Sequence, residues 1–525
     1  MKSVRIIAIS ALTLLLGACG RDVVEVTSDL IPAVELSASS VGLLPGGSCS
    51  IRFTVSGVPD GDLAFNLRLR GGGEPGEFRL TGVTRGSGPG QYIANIEDAG
   101  TGKSYSREVC VELAARDKMR GARSEYICVN CGETVYGEAP DTGLPIVYID
   151  TGDGTGAGSF YASASSVLKI RGSGSYGGTA PASCTVSLRG NISQNLPKKP
   201  YKVHFRDSVP LLGMPAHGDW VLLANFTDRT LMRNMVAMKV SSLTSLAWTP
   251  RCVPVELMFN GEHRGSYLLI EQVAVAPDRL DISAEGYLLE LDFHFDNEFQ
   301  WTDRHGSSTL FPGGIPFAVK YPDPGQLSAQ RKDYIRDYVT RASDALYGDD
   351  FTSPEKGYAA YLDADSFADY WLVYELLGNV ELYSPGSVYM HKEAGGKLVA
   401  GPCWDFDWCL TKSRTDTQLK TGLLNTDAIW YERLFSDPAF KEKVRARFAA
   451  LLPSLRTVPD YIDSCKDLLS ESAALNFAMW NPAEDRWQHS GMLINGDEKM
   501  SFEDAAAQLK TVYLQRLEFL LEKLL

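Results

Sequence analysis

The spacing of apolar residues changes along the chain, and this change limits the folds that are open to it. Up to about residue 320, apolar and polar residues mostly alternate in short segments that end in glycine or proline turns. After about residue 327, apolar residues recur every three or four positions. The first spacing is typical of half-buried strands and the second of amphipathic helices. The sequence therefore predicts an α+β protein whose strands largely precede its helices.

The first β region has the segment lengths of a sandwich domain. Its alternating segments are 50–55, 65–69, 91–96 and 108–113. Glycine- and proline-rich turns separate these segments, as in small antiparallel sandwiches. We therefore predict an immunoglobulin-like β-sandwich over residues 32–126.

The remaining chain is long enough for a second domain, because single hydrophobic cores rarely grow beyond about 250–300 residues. We expect a linker at 127–142 and a core domain at 143–415, followed by its helical carboxy-terminal part at 416–525. A mostly β lobe would then face a mostly helical lobe, with a ligand cleft between them.

The first residues have the pattern of an export signal. Two basic residues precede an apolar run at 6–16, which leads into Leu-Gly-Ala-Cys ending at Cys19. This ending resembles a bacterial lipobox, so we expect a lipoprotein signal peptide at 1–18, a lipid on Cys19 and a tether at 19–31. The lipid would anchor the protein in a membrane of the bacterial cell envelope, facing the periplasm or exposed at the surface. The alternative is an ordinary secretory signal with an incidental cysteine.

Composition argues against one class of partner. The 525 residues are 44% hydrophobic and 22% charged, which is ordinary for a globular protein, and the formal net charge is −14. Proteins that bind nucleic acids usually carry a basic surface, and this chain has no basic excess. We therefore expect no nucleic-acid partner.

Two carboxylates stand among aromatic residues at 404–407, which read Trp-Asp-Phe-Asp. Carboxylates on an apolar turn are costly unless a cation neutralises them. Asp405 and Asp407 are therefore candidate ligands for a hard divalent cation such as Mg²⁺ or Mn²⁺. The alternative is that either aspartate caps a turn while the aromatic rings pack.

A basic stretch lies about 200 residues before the acidic turn. Gly190 would let the backbone approach a phosphate, between the side chains of Arg189 and Asn191. Lys199 or Lys202 would then supply a point charge. Together with the acidic turn, this stretch predicts a nucleotide held between a basic loop and a bound metal ion. The alternative is a turn followed by a solvated strand face.

Two glutamates are further candidates. Glu381 could accept the proton of a hydroxyl group, as a general base does in phosphoryl transfer. Its alternative is a solvated side chain just after a helix end at Asn379. Glu271 could form an ion pair that orients a lysine, or it could simply end a surface strand.

A series of short motifs gives the chain a resemblance to a known family. In order they are Arg-Gly-Asn at 189–191, Pro-Lys-Lys-Pro-Tyr at 197–201, Leu-Leu-Gly-Met-Pro at 211–215, Asp-Trp-Val-Leu-Leu-Ala-Asn at 219–225, Arg-Asn at 233–234, Asn-Gly-Glu at 260–262, Gly-Ser-Tyr-Leu-Leu at 265–269, Lys-Tyr-Pro at 320–322, Asn-Val-Glu at 379–381 and Trp-Asp-Phe-Asp at 404–407. This succession resembles the spore coat protein H (CotH) kinase family over residues 143–415. The resemblance implies a divergent, bilobal protein-kinase-like fold that binds ATP with a divalent metal and phosphorylates proteins on serine or threonine.

The resemblance also implies roles for individual residues. Arg189, Gly190 and Asn191 would clamp phosphate. Lys199 would contact the nucleotide, with Lys202 as the alternative, and Glu271 would be the partner of that lysine. Asp405 and Asp407 would bind the metal ion.

Glu381 stands where the family has its catalytic aspartate. The extra methylene displaces the carboxylate by roughly an ångström, a shift that can reduce a rate on the order of a hundredfold. With a glutamate at position 381 in place of aspartate, two functions are open to the chain. One is an ATP-dependent kinase acting on a protein of the cell envelope. The other is a weak or inactive pseudokinase that serves as a scaffold for adhesion or assembly.

Overall fold

The chain folds into two compact units, which divide between Val129 and Asn130. The computed structural model describes the chain from residue 30 onward except at 38–39, 44–47, 60–62, 71, 87, 100–104, 117–118, 132–138, 152–162, 192, 295–296, 307–313, 412–421, 481–495 and 498. The predicted signal peptide and Cys19 therefore lie outside the described residues.

Two antiparallel sheets form the amino-terminal unit. The strands of the first are β1 (Ala33–Leu36), β3 (Ser48–Ser56), β5 (Phe78–Arg85) and β6 (Gln91–Asp98), in the order β1-β3-β6-β5. The strands of the second are β2 (Ser40–Leu43), β4 (Phe65–Leu69), β7 (Tyr105–Leu113), β8 (Ala122–Arg123) and β9 (Ile127–Cys131), in the order β2-β9-β7-β4 with β8 beside β7. The rings of Phe53 and Phe65, one from each sheet, lie 4.9 Å apart. Both sheets therefore contribute to one apolar core.

Strand β9 occupies the first residues of the stretch that the sequence assigned to a linker. Ile127 and Val129 are buried, so this segment packs in the sandwich and does not connect domains. The connection between the two units therefore begins later than the predicted position 127.

A closed barrel opens the second unit. Its strands are β10 (Ile146–Asp150), β11 (Ala164–Arg171), β12 (Thr179–Leu188), β13 (Tyr201–Leu211), β14 (Met214–Leu223), β15 (Cys252–Phe259) and β16 (Glu262–Glu271). Their order is β10-β11-β12-β13-β14-β16-β15, and β10 closes the ring by pairing in parallel with β15. Inward side chains such as Val203, Trp220 and Leu269 are fully buried. The interior is therefore a packed core.

A five-stranded sheet follows the barrel. Its strands are β17 (Tyr287–Leu291), β18 (Gln300–Asp303), β19 (Ile315–Tyr321), β20 (Val388–Lys392) and β21 (Leu398–Ala400), in the order β18-β19-β17-β20-β21. The hairpin β20–β21 is thus part of this sheet, because β20 pairs with β17. The residues that follow β17 and β21 are consequently close together.

The helices of the second unit come mostly after the sheet begins. They are α1 (Arg233–Ser242), α2 (Ala329–Tyr347), α3 (Ala364–Leu376), α4 (Tyr431–Leu434), α5 (Pro438–Leu455), α6 (Val458–Met479) and α7 (Phe502–Leu524). Ser328, Asp363, Asp437 and Ser501 cap α2, α3, α5 and α7, because each side chain accepts a hydrogen bond from a backbone N–H of the first turn. The chain is therefore of the mixed α+β class, as its residue spacing predicted. In the part of the chain that the structure describes, no helix combines the length and apolar character needed to cross a membrane.

Candidate functional site

The acidic turn follows β21 and is fixed by helix α1. The side-chain oxygen of Asn234 accepts a hydrogen bond of 2.9 Å from the backbone N–H of Phe406. Arg233 donates from Nε to the carbonyl oxygen of Cys409, also at 2.9 Å. Asp405 has a φ of +62°, a left-handed conformation that aspartate tolerates better than most residues. Helix α1 therefore fixes the backbone between the two carboxylates and just after them.

The surroundings of the turn raise the pKa values of both carboxylates. Asp405 is accessible to solvent, yet protein surrounds its carboxylate closely enough that loss of hydration raises its pKa. Burial raises the pKa of Asp407 well above its ordinary value, and the charges of Asp405, Asp228 and Glu381 raise it further. Protonated Asp407 then donates a hydrogen bond to Asp405. The turn therefore carries more negative charge than its surroundings can neutralise.

Arg189 is the basic residue whose charge acts on this turn. Its guanidinium lies 5.6 Å from the centre of the Trp404 ring, and its positive charge opposes the rise in the pKa of Asp405. Burial lowers the pKa of Arg189 itself, while the charges of Asp405, Tyr389 and Glu290 oppose this effect. Arg189 and Asp405 are 216 positions apart in the sequence and yet interact directly through their charges.

The rest of the basic loop is tied to the end of β17. Gly190 has a φ of +82°, a left-handed conformation that glycine adopts without strain. Nδ2 of Asn191 lies 3.1 Å from Nε2 of His294, and Nδ1 of His294 lies 2.7 Å from a carboxylate oxygen of Asp292. The loop therefore lies beside both β17 and the acidic turn.

The predicted lysines make their contacts elsewhere. Lys199 donates to the carbonyl oxygen of Gln194 at 2.8 Å. Lys202 pairs with Asp219 at 3.3 Å on the neighbouring strand β14. Neither contact involves the acidic turn, and the positive charge that acts on Asp405 comes from Arg189. Of the basic residues predicted for this loop, Arg189 acts on the acidic turn, while Lys199 and Lys202 contact other groups.

Glu271 has a different partner from the one expected. Its carboxylate is fully buried and accepts hydrogen bonds from the backbone N–H and from Nε of Arg251, at 2.8 and 3.0 Å. The expected pair of Glu271 with a lysine of the basic loop is therefore replaced by an arginine pair at the far end of β16.

Glu381 lies close enough to the acidic pair for its charge to raise the pKa of Asp407. It begins a short 3-10 turn at Glu381–Tyr383, and its backbone N–H donates to the side chain of Asn379 at 2.9 Å. The Asn379 side chain therefore fixes the backbone of Glu381 at a position near the candidate metal ligands Asp405 and Asp407.

Several residues of the site were missed in the sequence. Asp228 is fully buried, accepts a hydrogen bond of 2.9 Å from the backbone N–H of Arg233, and adds its charge to that around Asp407. Thr227 donates to Asp407 at 3.3 Å. The charge of Tyr389 acts on the pKa of Arg189. Only Asp228 gave a signal in the sequence, because it is an aspartate just before a helix. An aspartate in that position is more often a simple helix cap.

The carboxylates of Asp405 and Asp407 are suitable ligands for a hard divalent cation whose other ligands include phosphate oxygens. In the described ranges, no group of three or more histidine, cysteine, aspartate or glutamate side chains has the geometry to hold a metal. Two carboxylates are nevertheless present, and Mg²⁺ is usually bound by one or two carboxylates together with phosphates and water. A carboxylate pair whose surroundings raise both pKa values is chemically suited to exchange a proton for a metal ion.

Comparison with known families gives one match. The family model described as CotH kinase protein matches residues 186–520, which is well over half of the chain. The matched region begins in strand β12, ends in helix α7 and contains the basic loop, Glu381 and the acidic turn. No curated protein matches the chain.

Proposed function

The chain belongs to the CotH kinase protein family, and from this premise we propose that its second unit binds ATP together with Mg²⁺ or Mn²⁺. The observation that carries the proposal is the position of Arg189 of the basic loop beside the acidic turn, where its guanidinium lies 5.6 Å from the centre of the Trp404 ring and its charge acts on Asp405. A metal–nucleotide complex needs both kinds of group, because its phosphates are negative and its metal ion is positive.

Each half of the site has a separate task in this proposal. Arg189 would bind phosphate oxygens with its planar, bidentate donor set, and Gly190 would let the backbone come close to them. Asp405 and Asp407 would hold the metal ion, which supplies neutralisation of phosphate charge. Asn234 would keep both carboxylates oriented, because it fixes the backbone between them.

We further propose that the enzyme phosphorylates serine or threonine of a protein at the cell envelope. Glu381 would accept the proton of the serine or threonine hydroxyl. The hydroxyl oxygen would then bond to the terminal phosphorus of ATP as the bond from that phosphorus to ADP breaks and ADP leaves. The effect of Glu381 on the pKa of Asp407 supports this role, since it puts the base near the metal ligands.

A second candidate function is a scaffold that binds nucleotide without transferring phosphate. The glutamate at position 381 favours it, because the family resemblance implies an aspartate there and the longer side chain displaces the carboxylate. In this case the protein would contribute to adhesion or assembly at the surface.

We also propose a domain assignment for the two units. If β1 and β2 are the two halves of a split first strand, the sheets follow the strand orders of an immunoglobulin sandwich. The second unit would be a divergent kinase-like domain with two lobes. Its site supports this, because Arg189 follows barrel strand β12 while Asp405 follows β21 of the other sheet. Lipid on Cys19 would anchor the protein in a membrane of the cell envelope.

Thermal-shift titration tests nucleotide binding, and labelled ATP tests transfer. We expect ATP with Mn²⁺ to raise the melting temperature of the wild type, ATP alone to do so less, and Asp405→Ala to abolish the effect. Asp207→Ala is the control, because Asp207 is an exposed aspartate on β13.

The two candidate functions separate in the second assay. Phosphate transfer to casein by the wild type but not by Asp405→Ala supports the kinase, whereas a thermal shift without transfer supports the scaffold. A wild type that shows no shift with any combination of ATP and metal contradicts both.

A further inference from the structure

A second lysine–glutamate pair borders the proposed nucleotide site. Lys320 of β19 lies beside Glu290 of the neighbouring strand β17, and its ammonium nitrogen is 3.0 Å from Oε2 of that glutamate. The same nitrogen donates to the side-chain oxygen of Asn297 at 3.0 Å. The Glu290 side chain is 8% exposed and that of Lys320 is 38% exposed. A buried carboxylate therefore fixes a cation that reaches the surface.

Glu290 belongs to the electrostatic surroundings of Arg189 and Asp405. The hydroxyl of Tyr389 donates a hydrogen bond to Glu290, and the charges of Glu290, Tyr389 and Asp405 all act on Arg189. Burial raises the pKa of Glu290, and Lys320 opposes this more than any other group. Lys320 is therefore joined to the phosphate side of the site through a carboxylate that also faces Arg189.

The three lysines near the basic loop are engaged in other ways. Lys198 is 1% exposed and donates to the Ser266 carbonyl oxygen and to the Asn476 side chain. Lys199 and Lys202 bind Gln194 and Asp219, as described above. Lys320 differs from them in its partners, because the charge of Glu290 acts on Arg189 and Asn297 donates at 3.1 Å to Asp292 beside the basic loop.

We propose that Lys320, positioned by Glu290 and Asn297, is the lysine that binds the phosphates of the nucleotide. This inference rests on the proposed nucleotide binding and replaces the assignment of that role to Lys199. Glu290 acts as a positioning residue, since it neutralises part of the lysine charge and directs the ammonium group. The position of Lys320 on a central strand pair keeps that geometry fixed.

The test compares lysine variants for binding of ATP with Mn²⁺. We expect Lys320→Met to weaken binding by about tenfold or more, because one charge-assisted hydrogen bond is lost. Lys320→Arg should recover part of the lost affinity for ATP with Mn²⁺, since arginine keeps the positive charge. Lys199→Met and Lys202→Met are the competing variants and should bind like the wild type. Lys510→Met is a matched control, because Lys510 forms a comparably exposed ion pair with Asp463 between α7 and α6.

A measurement on the wild type makes the test independent of how the variants fold. Amine-reactive acetylation followed by mass spectrometry should show that ATP with Mn²⁺ protects Lys320 and leaves Lys510 unchanged. If the wild type binds nucleotide while Lys320 is neither protected nor needed, or if Lys199→Met is the variant that loses binding, the assignment to Lys320 is overturned. If the wild type binds no nucleotide at all, the proposed function itself fails.

Discussion

The pKa of Asp407 is raised because burial removes its water and because three other carboxylates, those of Asp405, Asp228 and Glu381, act on it. Its pKa in the folded protein is thus raised above that in the unfolded chain. Stability from such a group is present at low pH and is lost as the pH rises through the folded pKa. At neutral pH the metal-free turn therefore destabilises the fold, and a bound cation would reverse this effect.

Replacing Asp407 with asparagine should stabilise the metal-free protein at neutral pH. Asparagine has the shape of the protonated side chain but adds no charge, so we expect the melting temperature to rise by a few degrees at about pH 7.5. The gain should shrink as the pH falls toward the ordinary carboxylate range. Thermal melts of wild type and Asp407→Asn over this range check it, with exposed Asp207→Asn as the control. A variant that melts lower than the wild type at neutral pH contradicts the charge excess.

The hydrogen bond from Phe406 to Asn234 offers a second test at this scale. Asn234→Ala leaves a buried backbone N–H without its acceptor, which should cost about 1–3 kcal/mol of unfolding free energy. It should also weaken binding of Mn²⁺ more than binding of ATP alone, because the carboxylates lose their fixed backbone. Urea denaturation and metal titration measure the two effects. Unchanged metal binding would show that α1 does not position the turn.

Single residues were only partly predictable from the sequence. Aspartates among aromatic residues and a Gly-Asn loop are unusual enough to identify without a structure, and the structure brings Arg189 to Asp405. The direction of each lysine could not be predicted, because it depends on the turn at 193–200 that leads into β13. Tyr389 gave no signal and Asp228 only that of a helix cap, because their effects on the site arise from contacts between segments that are distant in the sequence.

Among the secondary-structure elements, helix α6 contacts the barrel through the buried side chain of Lys198. Asn476 of α6 accepts hydrogen bonds from Lys198 at 2.7 Å and from the backbone N–H of Ser266 at 3.3 Å. Trp480, just after the helix, donates to the Arg264 carbonyl oxygen at 2.9 Å. The end of α6 thereby holds the loop that continues from the basic loop into β13.

The buried lysine should make stability depend on pH. Burial lowers the pKa of Lys198 to about 7, against a small opposing effect of the Glu256 charge. Between about pH 7 and 10 the unfolded chain then binds one more proton than the folded one, so folding becomes more favourable as pH rises. Relative to Lys198→Met, the wild type should gain up to about 1.4 kcal/mol per pH unit in this range. Urea denaturation at several pH values measures it, and parallel curves for both proteins would contradict it.

The individual helices and strands could be predicted from the sequence more fully than the way in which the strands pair. Ser501, followed by Glu503 and Asp504, is a typical helix start, and its side chain accepts a hydrogen bond from the backbone N–H of Asp504 in α7. Most strands of the second unit were also visible from alternation. Closure of the barrel was not, because β10 pairs with β15 more than 100 residues later and residue spacing carries no information about such partners. Strand β9 was missed for a related reason, since its short apolar run looks like part of a linker.

At the scale of the whole molecule, the proposed function belongs to one of the two units. The basic loop, Glu381 and the acidic turn all lie in residues 130–525, as does the entire family match at 186–520. Each unit also has its own buried core. A sandwich with its own core is typical of a spacer or adhesion module.

Residues 130–525 expressed alone should therefore bind ATP with Mn²⁺ as tightly as the protein that also contains the sandwich. Isothermal titration of both proteins under the same conditions measures this. Circular dichroism and a cooperative melt establish that the shorter protein is folded. A folded fragment that has lost binding would show that the sandwich contributes to the site.

In the proposed site, Arg189 and the Asp405–Asp407 pair hold one metal–nucleotide complex between them. A crystal structure with Mn²⁺ and a non-hydrolysable ATP analogue tests this most directly, because the anomalous signal of manganese locates the metal. We expect a manganese peak at the two carboxylates, with phosphate oxygens against Arg189. Nucleotide bound elsewhere, or manganese absent from Asp405 while nucleotide is present, would contradict it.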